Sequence, residues 1–143
     1  MAKILLLVIL SLVSCATPLP EGAKHQWTLH SSSEKLDFKN YIDFSSVEIN
    51  DSTRIFWTLT NYGHPIYTQY SEKKYLSALL KEVVDCNRRS LANISLFYYA
   101  NTDATGEIIF QRERDINKLV FTKAIPRSGL DMTIQKVCAL SKS

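Results

Sequence analysis

The stretch Val83-Val84-Asp85-Cys86-Asn87-Arg88-Arg89 decides the fold of this chain, because it places a cysteine in a charged segment between two apolar runs. The chain has 3 cysteines in all, so the bonding partner of Cys86 determines which parts of the chain lie together. Two interpretations compete at the outset. Cys86 is either a nucleophile in an active loop or one end of a disulfide that holds a turn.

Composition indicates a single globular domain. The 143 residues are 45% hydrophobic and 22% charged, which is ordinary for one compact domain. A chain of this size can bury enough surface to fold without a metal or a dense disulfide framework. The formal net charge of +3 is small and the basic residues are scattered, so nucleic acid is not an expected partner.

The N-terminus has the pattern of an export signal. Lys3 precedes an apolar run of about 10 residues, whereas a transmembrane helix needs roughly 20. The run ends in Leu12-Val13-Ser14-Cys15, which resembles the lipobox of bacterial lipoproteins. We therefore predict a signal peptide over residues 1–14 and acylation of Cys15 by chains such as palmitate. The alternative is an ordinary secretory signal that is cleaved nearby and leaves Cys15 unmodified.

Acylation at Cys15 would anchor the protein in a membrane. One acyl chain holds a bilayer only marginally, whereas two or three hold it stably. Ala16 stands where an aspartate would favour retention at the inner membrane in enteric bacteria, so we expect the outer membrane. Residues 15–24 contain Pro18, Pro20 and Gly22 and are predicted to form a flexible tether. Residues 25–143 are predicted to form one domain.

The remaining two cysteines are predicted to pair. Once Cys15 is assigned to the lipid, Cys86 and Cys138 are left in a chain bound for an oxidising compartment. The alternative is two unpaired, buried thiols. A zinc site is disfavoured, because the histidines are dispersed and lack metal-ligand spacing with the cysteines. The histidines are His25, His30 and His64.

Strand signals follow one another along the domain. Residues 26–30 alternate, with Trp27 and Leu29 on one face. The most pronounced strand is residues 53–62, which are rich in β-branched and aromatic side chains. Its apolar residues Ile55, Trp57 and Leu59 share one face, and residues 63–65 are predicted to end it. Further strands are expected at residues 38–46 and, after a turn at residues 101–106, at residues 108–110.

Residues 76–84 fit both a helical stripe and a strand face. The helical set is Leu76, Leu79, Leu80 and Val83, and the strand set is Leu76, Ala78, Leu80 and Val84. Periodicity does not separate the two. The β-branched end and the turn-like residues 86–89, which precede an apolar run over residues 91–99, favour two antiparallel strands joined by a short loop. We therefore predict a strand.

A helix is predicted after Pro126. Ser128 and Asp131 stand at capping-box spacing, with Asp in place of the usual Glu. Apolar residues then recur on a single helical face that needs a sheet to pack on. These residues are Leu130, Ile134, Val137 and Cys138. The predicted fold class is α+β, an antiparallel meander of about six strands backed by a C-terminal helix that a Cys86–Cys138 disulfide staples to the sheet.

Catalytic patterns are missing from the sequence. It contains no nucleophile elbow and no Gly-rich phosphate loop, and His64 is interpreted as a solvated turn residue. We therefore expect no enzyme activity, no catalytic residue, no metal site and no cofactor. The run Phe97-Tyr98-Tyr99 is interpreted as strand packing, and the alternative is an exposed aromatic binding patch.

The order of several residues resembles the surface-adhesin protein E family of small Gram-negative lipoproteins. The matching positions are Trp27, the Tyr41-Ile42-Asp43 and Ser46 group, Trp57, Tyr70, Asp85-Cys86 with Arg89, Tyr98-Tyr99 with Gly106, and Pro126 and Ser128 ahead of Cys138. The resemblance implies a sheet backed by a C-terminal helix, a disulfide between the matching cysteines, and a fold compatible with a homodimer. It also implies adhesion to host proteins of the vitronectin, laminin and plasminogen class.

Two functions follow from these expectations. The first is an outer-membrane surface lipoprotein that binds host extracellular-matrix or serum proteins. The alternative is a periplasm-facing lipoprotein with a structural or assembly role and no adhesive activity. The orientation of the domain across the outer membrane separates them, and the sequence does not mark the binding face.

Overall fold

A computed structural model describes residues 21–141 of the protein. Within this range the chain forms one antiparallel sheet, one α-helix and two short 3-10 helices. The strands are β1 Trp27–Ser33, β2 Phe38–Asn50, β3 Thr53–Thr68, β4 Ser71–Asp85, β5 Ser90–Tyr99, β6 Ile108–Glu113 and β7 Thr122–Lys123. The α-helix α1 is Gly129–Cys138, and the 3-10 helices are Glu21–Lys24 and Ile116–Lys118.

Strands that are neighbours in the chain are also neighbours in the sheet. The order is β1-β2-β3-β4-β5-β6, and each pairing is antiparallel. The short β7 pairs instead with the start of β5, where Lys123 lies opposite Ser90. The predicted antiparallel meander with a C-terminal helix is therefore confirmed, with seven strands in the described part of the chain instead of about six.

Strand β4 explains why residues 76–84 fit two patterns. The prediction of a strand is confirmed, yet adjacent residues such as Ala78 and Leu79, or Val83 and Val84, are all buried. Both faces of the sheet are covered along β4, so the usual alternation of apolar and polar residues is lost. A strand that is buried on both faces cannot be told from a helix by periodicity alone.

One face of the sheet packs against α1. The buried residues of this cluster are Ile42, Phe56, Val84, Leu91, Ile134 and Val137. Leu130 and Cys138 pack against the same cluster, so the predicted apolar face of the helix is confirmed. The opposite face carries a second cluster around Leu59, Leu79 and Tyr99, against which Trp27 and Trp57 pack. The predicted stripe of β3 lies on this opposite face, and Phe56 is the β3 residue beneath the helix.

The start of α1 and the disulfide have the predicted arrangement. The Asp131 backbone N–H donates to Ser128 Oγ at 3.2 Å, and the Asp131 carboxylate accepts from the Arg127 backbone N–H at 2.9 Å. A second backbone donor before the helix is thereby satisfied. Cys86, in the turn between β4 and β5, is bonded to Cys138 at the end of α1, with their Cα atoms 5.8 Å apart. The disulfide thus joins the sheet to the helix.

The prediction that residues 63–65 end the third strand is wrong. β3 continues to Thr68, and its pairing with β4 resumes at Ile66 and Tyr75 after an irregularity that begins at Asn61. Residues 62–65 have no register partner in β4, and Pro65, which has no N–H to donate, lies within this interruption. The Gly63 N–H donates instead to the Asp37 carbonyl at 2.9 Å, which ties this part of β3 to the β1–β2 turn.

The folded part of the chain also begins earlier than the predicted boundary at residue 25. Residues 21–24 form a 3-10 helix, and the Gly22 carbonyl accepts a hydrogen bond from Trp27 Nε1 at 2.8 Å. Gly22 is buried against Asp103 of the β5–β6 turn, so tightly that a Cβ there would lie 2.0 Å from the Asp103 carbonyl oxygen. The predicted signal peptide and Cys15 lie outside the described residues.

Candidate binding surface

A band of aromatic rings crosses the sheet on the helix-bearing face, at the end that α1 does not cover. The rings belong to Tyr62, Tyr75, Tyr98, Phe110 and Tyr70, which we call the aromatic band. Tyr75 stacks on Tyr98 with ring centroids 4.1 Å apart, and Tyr70 stacks on Phe110 at 4.8 Å. Tyr62 meets the edge of Tyr75 at 5.6 Å, and Tyr98 meets Phe110 at 5.7 Å. The contacts therefore run without interruption from β3 to β6.

Strand pairing puts these rings side by side. Tyr98 lies opposite Phe110 across β5 and β6, and Ala78 lies opposite Tyr98 across β4 and β5. Ala78 is small, so it leaves room on this face for the Tyr75 ring to stack on Tyr98. The two-residue connection Gln69-Tyr70 then turns β3 into β4 and carries the Tyr70 ring onto Phe110.

The band is buried at its centre and exposed where the β3–β4 hairpin ends. Tyr75 is 7% exposed, whereas Tyr70 is 50% and Tyr67 is 68% exposed. Two cations lie over exposed rings at this end of the hairpin, one over Tyr67, which is outside the aromatic band, and one over Tyr70. Lys74 Nζ is 4.7 Å from the Tyr67 ring centroid, and the Arg112 guanidinium is 5.7 Å from that of Tyr70. We call Tyr67, Tyr70, Lys74, Phe110 and Arg112 the hairpin surface.

The pKa values of two hydroxyl groups of the band, those of Tyr70 and Tyr75, are shifted in opposite directions. Hydrogen bonds from Gln69 and Arg112 lower the pKa of Tyr70. Burial raises the pKa of Tyr75, and the neighbouring Tyr62 and Tyr98 raise it further. Tyr75 is therefore a neutral packing group, while Tyr70 presents an oxygen already engaged by a guanidinium.

The run Phe97-Tyr98-Tyr99 divides between the two faces of the sheet. Tyr99 is buried, and Phe97 packs in the same cluster on the face opposite α1, so the interpretation as strand packing is confirmed for both. Tyr98 lies partly buried within the aromatic band. The exposed residues of the hairpin surface come from other parts of the sequence. The signal that could have found them was the pair Tyr67 and Tyr70, one just before the end of β3 and the other in the two-residue turn that follows.

A polar cluster around His25 and Asp43 lies at the edge of the sheet where β1 pairs with β2. His25 lies between Trp27 and Trp57, with ring centroids 4.8 and 5.1 Å away, and His25 Nδ1 is 2.9 Å from Asp43 Oδ2. Burial would raise the pKa of Asp43, but hydrogen bonds from Ser45, His25 and Ser46 outweigh it and lower the pKa to about 2. Ser45 donates to the Asp43 carboxylate instead of the imidazole, so the three groups do not form a nucleophile relay.

The histidines do not come together. His25 contacts Asp43, His30 Nε2 lies 2.9 Å from Thr133 Oγ1, and the exposed His64 lies 3.4 Å from Asp37. Among residues 21–141 no group of three or more His, Cys, Asp or Glu side chains is arranged to hold a metal ion. No helix within that range is long and apolar enough to cross a membrane. Cys86 is held in the disulfide, so it is not a free nucleophile.

The meander and its backing helix define a class of small domains built on one antiparallel sheet covered by a C-terminal helix. The chain belongs to the surface-adhesin protein E family, whose model matches residues 27–139. The predicted family resemblance is therefore confirmed. The family indicates an adhesin-like protein.

Solved structures of Haemophilus influenzae protein E have the same fold. The crystal structure of protein E from non-typeable Haemophilus influenzae is 16% identical, with a TM-score of 0.54, and the match covers 86% of this chain and 79% of that one. A second protein E structure is 17% identical, with a TM-score of 0.52, and covers 70% of this chain and 76% of that one. No curated protein matches the sequence.

Proposed function

We propose that this protein is a lipid-anchored outer-membrane adhesin that binds host proteins through the hairpin surface. The observation that carries the proposal is the exposed Tyr70, stacked on Phe110 with Arg112 over its ring, near the exposed Tyr67, which has Lys74 over its ring at the end of the same hairpin. Tyr and Arg are the residues that most often dominate the binding energy of protein–protein interfaces.

The surface is already organised before a partner binds. Tyr70 is held on Phe110 by stacking and beneath the Arg112 guanidinium, so little side-chain entropy remains to be lost on binding. The nearby Lys73 ammonium is paired with Glu107 at 2.5 Å. Lys74 and Arg112, together with Arg114 near Tyr70, give this end of the hairpin an excess of positive charge over the exposed Glu72, and an acidic patch on a partner would complement it.

The partner class follows from the family. The resemblance of the chain to this family implies that its partners are matrix or serum proteins of the vitronectin, laminin and plasminogen class. A homodimer, which the resemblance also allows, would present two hairpin surfaces and strengthen attachment by avidity. Sedimentation of the purified protein at micromolar concentration distinguishes monomer from dimer.

The anchor is proposed to be the acylated Cys15. In the sequence, residues 16–20 separate that cysteine from the first described residue, and a chain of this length spans at most about 20 Å between the two. The domain would therefore stay close to the bilayer. Replacing Cys15 by Ser should release the protein from membranes into the soluble fraction, and retention of that variant in the membrane would contradict the anchor.

Binding is tested by surface plasmon resonance with the full protein purified from membranes and immobilised matrix proteins. Saturable binding is expected, and the double variant Tyr67→Ser/Tyr70→Ser should lose at least about tenfold in affinity. The matched control Val120→Ser/Ile125→Ser removes side chains that are 75% and 74% exposed elsewhere, and should bind like the wild type. Absence of saturable binding to every protein of this class would contradict adhesion, and equal loss in both double variants would contradict this surface.

Orientation is tested separately by protease shaving of intact cells. A surface-displayed domain should be cleaved or released while periplasmic markers stay intact. Protection on intact cells, together with cleavage after the outer membrane is opened, would instead support the periplasm-facing structural role.

A further inference from the structure

A cationic pocket lies beside the disulfide, away from the hairpin surface. Its volume is about 540 Å³, and it lies between the β4–β5 turn and the segment that leads into β7. The lining residues are Asn87, Arg88, Arg89, Ser90, Phe121 and Lys123. Three of the six carry a positive charge and none carries a negative one.

The walls of the pocket are held in place by covalent and backbone bonds. The turn is tied to α1 by the Cys86–Cys138 disulfide and to the β2–β3 turn by the Cys86 N–H, which donates to the Ser52 carbonyl at 2.8 Å. The other wall is tied to the turn by the pairing of Ser90 with Lys123 and by the Ala124 N–H, which donates to the Arg89 carbonyl at 2.9 Å. The cations are therefore brought together by the fold.

The hydroxyl of Ser90 provides an independent indication of a ligand. Ser90 is 5% exposed, and its Oγ is buried without a hydrogen-bond partner among the described residues. A buried hydroxyl is normally hydrogen-bonded, and each exception needs an explanation. Ser90 forms part of the pocket wall, so a rotation of its side chain would let the hydroxyl donate to a ligand oxygen in the pocket.

The neighbouring acids leave donors free for such a ligand. Arg88 Nε is 3.6 Å from Asp85 Oδ2, and one terminal nitrogen of Arg89 contacts Asp131. A guanidinium has five N–H donors, so each arginine keeps several for another acceptor. No acidic side chain among residues 21–141 lies within ion-pairing distance of Lys123. The pocket thus offers an ammonium, two forked guanidinium groups and a hydroxyl.

We propose that this pocket binds a phosphate or sulfate group. A tetrahedral oxyanion presents several acceptor oxygens at once, which suits forked arginines and a lysine better than a single carboxylate would. Phe121, 41% exposed in the wall, provides an apolar surface for the part of the ligand that carries the anion. The site does not depend on the adhesin function proposed above.

The anion is tested by NMR titration of the isotope-labelled full protein in detergent with inorganic phosphate and with sulfate, at constant ionic strength set by chloride. Saturable shifts are expected at the amides of Arg89, Ser90 and Lys123. Lys123→Gln and Ser90→Ala should each weaken binding at least about fivefold. The matched control Lys35→Gln removes an exposed cation in the β1–β2 turn and should bind like the wild type.

Two further arms separate the sources of the group and guard against misfolding. Vesicles of phosphatidylcholine with or without phosphatidic acid report a phosphorylated lipid, whose presence should displace bound phosphate. Binding of free phosphate without displacement by those vesicles assigns a soluble ligand. Ser90→Ala should leave the apo protein at least as stable as the wild type, because it removes an unpaired buried hydroxyl. Unsaturable shifts, or equal weakening by Lys35→Gln, would overturn the site.

Discussion

Replacing Glu82 by Gln tests how a buried carboxyl beneath α1 affects the stability of the fold. The Glu82 carboxyl is buried and lines a cleft with Leu130 and Thr133 of the helix, and it accepts a hydrogen bond from the Thr58 hydroxyl at 2.9 Å. Burial penalises the charged carboxylate and outweighs the hydrogen bond from Thr58, which raises the pKa of Glu82 from 4.5 to about 7. The residue as a whole keeps some exposed surface, but it is the burial of the carboxyl that sets this shift.

The raised pKa makes the stability of the wild type depend on pH. The folded protein holds the Glu82 proton more tightly than the unfolded chain does, so the free energy of unfolding falls as pH rises from 4.5 to about 7. At about 1.4 kcal/mol per pH unit, the loss is about 3 kcal/mol. Gln is neutral over this range and keeps an oxygen that accepts from Thr58. The free energy of unfolding of Glu82→Gln should therefore not show this loss as the pH rises.

Urea unfolding between about pH 5 and about pH 8, followed by the fluorescence of Trp27 and Trp57, measures this difference. The variant should be about as stable as the wild type at the acid end and more stable by up to about 3 kcal/mol at the alkaline end. Burial and then Lys136 lower the pKa of His30, so its contribution to stability rises with pH, opposite to that of Glu82, and is common to both proteins. The exposed Glu113→Gln is the control. Parallel pH profiles for wild type and Glu82→Gln would refute the reasoning.

Two further substitutions test the joints of the fold. Cys86→Ser opens a disulfide of sequence separation 52. On the chain-entropy model it should lower the free energy of unfolding by about 4 kcal/mol, which urea unfolding measures. A further drop when Cys138→Ser is added would contradict the loss of one shared bond as the cause. Gly22→Ala should cost roughly 1–3 kcal/mol because its Cβ would lie 2.0 Å from the Asp103 carbonyl oxygen. Gly129→Ala faces open space and is the matched control, and equal effects of the two on the melting temperature would exclude the steric explanation.

The parts of the fold that rest on short-range chemistry were predictable. The turn at residues 86–89, the Ser128 cap and the apolar face of α1 each depend on residues a few positions apart. The disulfide followed from counting cysteines in a chain whose N-terminus has the pattern of an export signal. Glu82 was also open to prediction, because strand alternation puts it on the same face as Leu80 and Val84, in an otherwise apolar set.

The rest depends on contacts between distant segments. The continuation of β3 past Pro65 requires β4 as a partner, and β7 is too short to be recognised without the start of β5 beside it. The hairpin surface combines Tyr70 of the β3–β4 turn with Arg112 of β6. Hydrophobic periodicity does not give the strand register that brings these two residues together. His25 lay next to Trp27 in the sequence, but its role needs Asp43 and Trp57 from two other strands.

Attachment of labelled vitronectin, laminin and plasminogen to intact cells tests the central claim most directly, since it requires both surface display and a working hairpin surface. Cells that carry the wild type should bind at least one of them saturably, and cells with an equal amount of Tyr67→Ser/Tyr70→Ser should lose at least about nine-tenths of that binding at subsaturating concentration. Binding that is unchanged in the double variant, or no greater than on cells without the protein, would contradict the account.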